Sequence, residues 1–117
     1  MKGITVDIEK EVSKNTFYRK IVHTTSTMQL VYMSIPPGEE IGFETHPKTT
    51  QFVKIEAGEG RLIQSSGWKR LRADIATIIP PGTRHNIIST GNVPLKLYSI
   101  YSPPEHPKGF VQKTKID

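Results

Sequence analysis

Five clusters of turn formers cut this chain into pieces that suit strands better than helices. They are Pro36-Pro37-Gly38, Ala57-Gly58-Glu59-Gly60, Ser65-Ser66-Gly67, Pro80-Pro81-Gly82 and Thr90-Gly91-Asn92. The runs between them are rich in β-branched and aromatic residues. The reading predicts strands at Ile4–Ile8, Phe17–His23, Met28–Ile35, Thr50–Ala57, Arg61–Gln64, Lys69–Leu71, Ile75–Ile79, His85–Ser89 and Leu95–Tyr101. Residues 4–35 contain no Gly or Pro, yet their apolar positions do not hold a helical period; at most Ile8–Lys14 forms a short helical turn. Nine short strands in 117 residues predict an all-β, jelly-roll-like barrel. Gly58-Glu59-Gly60 reads as a hairpin, and Phe52, Val53 and Ile55 read as core. After Ser102 the residues Pro103, Pro104, Pro107 and Gly109 predict an irregular arm over 103–117, with a short strand at Gly109–Lys113.

Length allows one domain, 1–117. Without cysteine, disulfides, thiolate metal sites, iron–sulfur clusters and cysteine nucleophiles are excluded. No apolar run approaches the roughly 20 residues of a membrane-spanning helix. The opening MKGITVDIEKEV carries acids early and has no apolar h-region, so a cytoplasmic location is expected. Sixteen Lys+Arg against eleven Asp+Glu give a net charge of +5. These cations are scattered: Lys69, Arg70 and Arg72 alternate with Trp68 and Leu71 as on a solvated strand, and Lys108, Lys113 and Lys115 lie in the arm. A nucleic-acid partner is not expected from such scatter.

Chemistry concentrates around two of the four histidines, His23, His46, His85 and His106. His46 follows Pro36-Pro37-Gly38, and on an extended chain it shares a face with Glu44. Gln51 opens the next predicted strand. Later, Pro80-Pro81-Gly82-Thr83-Arg84-His85 puts a second histidine at the head of another. His23 has no partner in the pattern and reads as surface or core. His106 reads as structural, with folding over a barrel mouth as the alternative. Alternation from an outward Lys96 turns Leu97, Ser99 and Tyr101 inward, which makes Tyr101 a candidate pocket hydroxyl.

With these residues the chain resembles the cupin superfamily. The first cupin motif, G-x5-H-x-H-x3/4-E-x6-G, is matched in spacing by Gly38, Glu44, His46, Gln51 and Gly58. The second, G-x5-P-x-G-x2-H-x3-N, is matched by Asp74, Pro80, Gly82, His85 and Ser89. The resemblance covers about residues 28–102. Gln51-Phe52, Gly58-Glu59-Gly60 and the stretch Tyr98–Pro107 look closest to the small cupins called mannose-6-phosphate isomerase-like.

The resemblance implies a double-stranded β-helix with a metal pocket in one mouth, normally held by three histidines and a glutamate. Carried over, the ligand positions are Glu44, His46, Gln51 and His85. Two depart in type: Glu44 replaces the first histidine and Gln51 the glutamate. Net ligand charge is unchanged at −1, but one imidazole is lost and an amide oxygen is a weak, hard donor. That set leans towards Fe(II) or Mn(II), with Ni and Zn left open. Glu44 could instead pair with Lys48 or Arg84, and Gln51 could orient a ligand rather than be one. The implied function is a metal-binding cupin acting on a small polar molecule. A sugar or sugar-phosphate isomerase or epimerase, a dioxygenase, and a non-catalytic small-molecule binder all stay open. A homodimer is expected, since small barrels pair their exposed edges.

Overall fold

The computed structural model describes residues 2–116. One helix, α1 (Ile8–Lys14), precedes nine strands: β1 (Arg19–Thr24), β2 (Gln29–Ile35), β3 (Thr50–Ala57), β4 (Glu59–Gln64), β5 (Gly67–Arg72), β6 (Ala76–Ile79), β7 (His85–Ser89), β8 (Leu95–Ser102) and β9 (Val111–Gln112). They form two antiparallel sheets, one in the order β6-β3-β8-β2-β1-β9 and one in the order β5-β4-β7. This is the double-stranded β-helix that the turn spacing and the motifs imply. The larger sheet runs past residues 28–102 at both ends, because β9 pairs with β1 at Arg19 and Lys20.

Alternation decides which side chains enter the core. Along β8 buried and half-buried residues alternate from Leu95 to Tyr101, so Leu97, Ser99 and Tyr101 point inward. Val31, Met33, Val53, Ile55, Leu62, Leu71, Ile79, Ile87, Leu95 and Leu97 fill the space between the sheets. Burying each such side chain contributes roughly 1.5–3 kcal/mol. On β5 only Leu71 is buried, and Lys69, Arg70 and Arg72 are exposed. Among the described residues no helix is long and apolar enough to cross a membrane.

Three local expectations need correcting. The segment predicted as a strand at Ile4–Ile8 is not one; the chain enters α1 instead. Asp7 caps that helix by accepting from the Lys10 amide, Glu9 and Glu11 lie in its first turn, and Lys14 lies in its last. Burial of Val12 anchors the helix, and the Tyr32 hydroxyl donates to Glu11 at 2.8 Å. Phe52 is not core. It sits half-buried on the outer face of β3 beside Tyr98, while Val53 and Ile55 point in. Gly58 is not the turn of a hairpin, because β3 pairs with β6 and β8 whereas β4 pairs with β5 and β7. The chain changes sheets there, and a Cβ on Gly58 would lie 2.4 Å from the Pro94 carbonyl oxygen.

Candidate metal centre

Two sheet registers assemble one wall of the site. Gln29 on β2 and Gln51 on β3 both stand opposite Tyr101 on β8, so three polar side chains share an inner-face row. All three are buried. Gln51 donates from Nε2 to Ser99 Oγ at 3.1 Å and to the Tyr101 hydroxyl at 3.2 Å. Its amide oxygen stays buried with no hydrogen-bond partner among the described residues.

The facing wall comes from the segment after Gly38. It runs beside β7, with bonds from Ile41 N to Ile87 O and, in both directions, between Glu44 and His85. The narrow Glu44–His85 bridge places those two side chains together. Further along, Gly82 N donates to the His46 carbonyl at 2.8 Å, so the turn before β7 also fixes the histidine after Glu44. The motif position at Asp74 keeps a glycine-like backbone, with a φ of 71°.

Glu44, His46 and His85 each offer a ligand atom within 4.8 Å of the others, although they come from two segments about forty residues apart. Their tautomers suit a cation. His85 Nδ1 lies 2.9 Å from the Thr83 carbonyl, which only accepts, so Nδ1 carries the proton and Nε2 keeps its lone pair. His46 Nδ1 lies 3.2 Å from a carboxylate oxygen of Glu105, which favours the same tautomer. Nε2 of His46, Nε2 of His85 and Oε1 of Gln51 are all buried with no hydrogen-bond partner among the described residues. A buried polar atom with no partner costs about 1–3 kcal/mol, and the two imidazole nitrogens beside the Glu44 carboxylate supply donors of the types that a divalent ion takes. Tyr101 lies edge-on to His46 at 5.6 Å between ring centroids. Burial, and then the Glu44 charge, raise its phenol above the ordinary value, so it remains a protonated donor.

Three residues complete the mouth that the motifs did not announce. Arg19 reaches in from β1 and its Nη2 lies 4.0 Å from Glu44. Neither cation considered for Glu44 in the sequence takes that place: Arg84 lies over the Phe43 ring at 3.8 Å. Glu105 and His106 belong to a strap, residues 103–107, that folds over the mouth. Both strap amides donate to Gln29 Oε1, at 3.2 and 3.0 Å, and Gln29 Nε2 donates to the His106 carbonyl at 2.8 Å. His106 packs edge-on against Tyr101 at 5.0 Å. Burial first, then the charge of Arg19, then His46, lower its pKa to about 4. For His106 the sequence already offered folding over a barrel mouth as the alternative reading, and the structure places it there; Arg19 and Glu105 carried no such signal. His23 stays apart from the site; it is half-buried on β1 and lines a surface cavity with Lys2 and Lys108.

The family model described as a cupin domain matches residues 31–101. The Bacillus subtilis protein YrkC is 42% identical over 122 residues, which is 99% of this chain and 66% of that protein. A protein of Acanthamoeba polyphaga mimivirus is 41% identical over 112 residues, 91% of this chain and 69% of its own length. The chain therefore spans about two thirds of these relatives. The crystal structure of BH2720 from Bacillus halodurans superposes with a TM-score of 0.96 at 41% identity, covering 98% of this chain and 92% of that one. On these grounds, and on the motif-spaced residues gathered at its mouth, the chain belongs to the cupin family.

Proposed function

We propose that this cupin holds a divalent metal ion on Glu44 Oε, His46 Nε2 and His85 Nε2, with Gln51 Oε1 as a fourth, weaker donor, and acts on a small polar molecule in the mouth. The observation that carries this reading is the Glu44, His46 and His85 cluster, in which both imidazole Nε2 atoms are buried with no hydrogen-bond partner among the described residues. Two histidines and one carboxylate are the ligand types of oxygen-activating iron centres, and an ion there would also polarise a carbonyl or hydroxyl.

Between the two reaction classes we favour the oxygenase. A sugar or sugar-phosphate isomerase, as in the mannose-6-phosphate isomerase-like group, needs a base free to move a proton between carbons. In this reading Glu44 serves as a ligand, Glu105 is held by His46, and His106, with a pKa of about 4, is a weak base at neutral pH.

The chain's own residues have separable roles in this scheme. Thr83 and Glu105 fix the imidazole tautomers, Ser99 and Tyr101 aim the Gln51 oxygen, and the strap limits water entry. The test is elemental mass spectrometry on protein purified without a histidine tag, beside the His46→Ala,His85→Ala double variant. Near-stoichiometric Fe, Mn, Ni or Zn in the parent and none in the variant is the expected result. A parent that is empty and takes up none of these ions would overturn the proposal.

A further inference from the structure

We propose that Arg19 is an anion clamp beside the metal centre, and that the small molecule taken there carries a carboxylate. This rests on the metal reading above. Arg19 is a nearly buried cation, its side chain only 12% exposed. One corner of its guanidinium is fixed, because Nη1 donates to Gln112 Oε1 on β9 at 3.0 Å. The opposite edge is not satisfied. Nε is buried without a partner among the described residues. Nη2, one of whose hydrogens lies on the same edge as Nε–H, has Glu44 at 4.0 Å, beyond hydrogen-bond range.

That edge is flat and two-pronged, the shape that pairs with two coplanar carboxylate oxygens. Its Nη2 end lies at the site, 4.0 Å from Glu44 Oε2. Once Glu44 is committed to a divalent ion, it no longer neutralises the guanidinium. Counting the ion, Arg19, Glu44 and Glu105, one positive charge is left over in a poorly solvated space. A monoanionic carboxylate cancels it, whereas a phosphate dianion overshoots. Leaving a buried guanidinium edge unpaired is costly, which is the physical reason to expect a ligand group there. A carboxylate on this edge would hold the rest of a small molecule towards the ligand atoms of His46 and His85.

The test uses glycolate and its uncharged isostere glycolamide, titrated calorimetrically into the protein before and after loading with Mn(II). Hydrogen bonds to charged partners contribute about 1.5–3 kcal/mol, so loaded parent protein should bind glycolate roughly 10- to 100-fold more tightly than glycolamide. Arg19→Gln should erase that preference while metal content, read on the same samples, stays unchanged. Arg19→Lys keeps a charge but not the two-pronged edge, and should recover only part of the preference; it also decides the matter if Arg19→Gln does not fold. Equal binding of the two probes to loaded parent, or a preference that survives Arg19→Gln, would overturn the clamp. So would tighter binding of inorganic phosphate than of glycolate. A protein that takes up no metal yet discriminates the probes through Arg19 would strike the metal reading and leave the clamp standing.

Discussion

Gln51 and Tyr101 face each other across β3 and β8, and the amide gives its hydrogens to the phenol and to Ser99, leaving its oxygen buried with no partner among the described residues. The family places a glutamate at this position. Gln51→Glu would add a negative charge beside Glu44 without changing the side-chain shape. In metal-free protein a buried carboxylate then faces the partly exposed carboxylate of Glu44 in one mouth, which should lower stability by about 1–3 kcal/mol. With a divalent ion the extra charge becomes favourable, and affinity should rise by roughly an order of magnitude. Urea unfolding in chelator and competition with a metal-sensitive dye read the two effects, which must have opposite signs.

Glu105 acts through His46. Its carboxylate lies 3.2 Å from Nδ1 and is only partly exposed. Glu105→Ala should weaken metal binding by about 10- to 100-fold, as loss of a group that orients a ligand histidine does. The melting temperature of metal-free protein should change little, since the strap keeps its backbone bonds to Gln29.

His106 makes stability depend on pH. Its pKa is lowered to about 4 in the folded protein, whereas an unfolded chain has a histidine near 6.5. Between these values the unfolded state binds the extra proton, so stability rises with pH across that window. Its contribution is complete above about pH 6.5 and is lost as pH falls towards 4. In chelator, the parent should lose more stability between pH 7.5 and 4.5 than His106→Asn does. The ring is only part-buried, so a difference on the order of 1 kcal/mol is expected after allowing for solvent screening. Identical pH profiles would exclude this role.

Gly58 and Gly67 separate strain from collision. Both have a positive φ, 84° and 127°. A Cβ at Gly67 meets nothing within 4 Å, while one at Gly58 strikes the Pro94 carbonyl at 2.4 Å and Leu95 Cα at 2.8 Å. Gly67→Ala should cost about 1 kcal/mol from backbone conformation alone. Gly58→Ala should cost roughly 3 kcal/mol or more, because the neighbour is backbone and β8 begins there. Chemical denaturation of the two variants checks the ranking.

The strands were legible because each rests on a local pattern, alternation between turn formers, that survives without knowledge of the partner strand. Lys96 to Tyr101 is the clearest case. Glu44, His46 and His85 were legible as a group because the motif spacing encodes the fold that joins them. α1 was legible, since Ile8–Lys14 is the one stretch that reads as a helical turn and the structure forms it with those bounds; only the strand at Ile4–Ile8 was misread, because Ile4, Val6 and Ile8 alternate as they would on a strand. Gly58 looked like a hairpin because a change of sheet and a reversal within one sheet use the same residue types. His106 was already readable as a residue that folds over a mouth, whereas Arg19 and Glu105 were silent for another reason. Their roles arise from β1 and the strap meeting at the mouth, a long-range juxtaposition with no fixed spacing to read.

Gln29 satisfies the strap at every hydrogen-bonding atom of its amide, and Thr24 takes the remaining donor at 3.0 Å. Lifting residues 105–106 would strand a fully buried amide, so the strap cannot fray one bond at a time. It should leave as a unit or stay. The Glu105 and His106 amides, though they lie in a proline-rich loop, are thus expected to exchange their hydrogens as slowly as those of the sheet beneath them. Access to the mouth then becomes a rare, all-or-none event whose frequency is set by one glutamine.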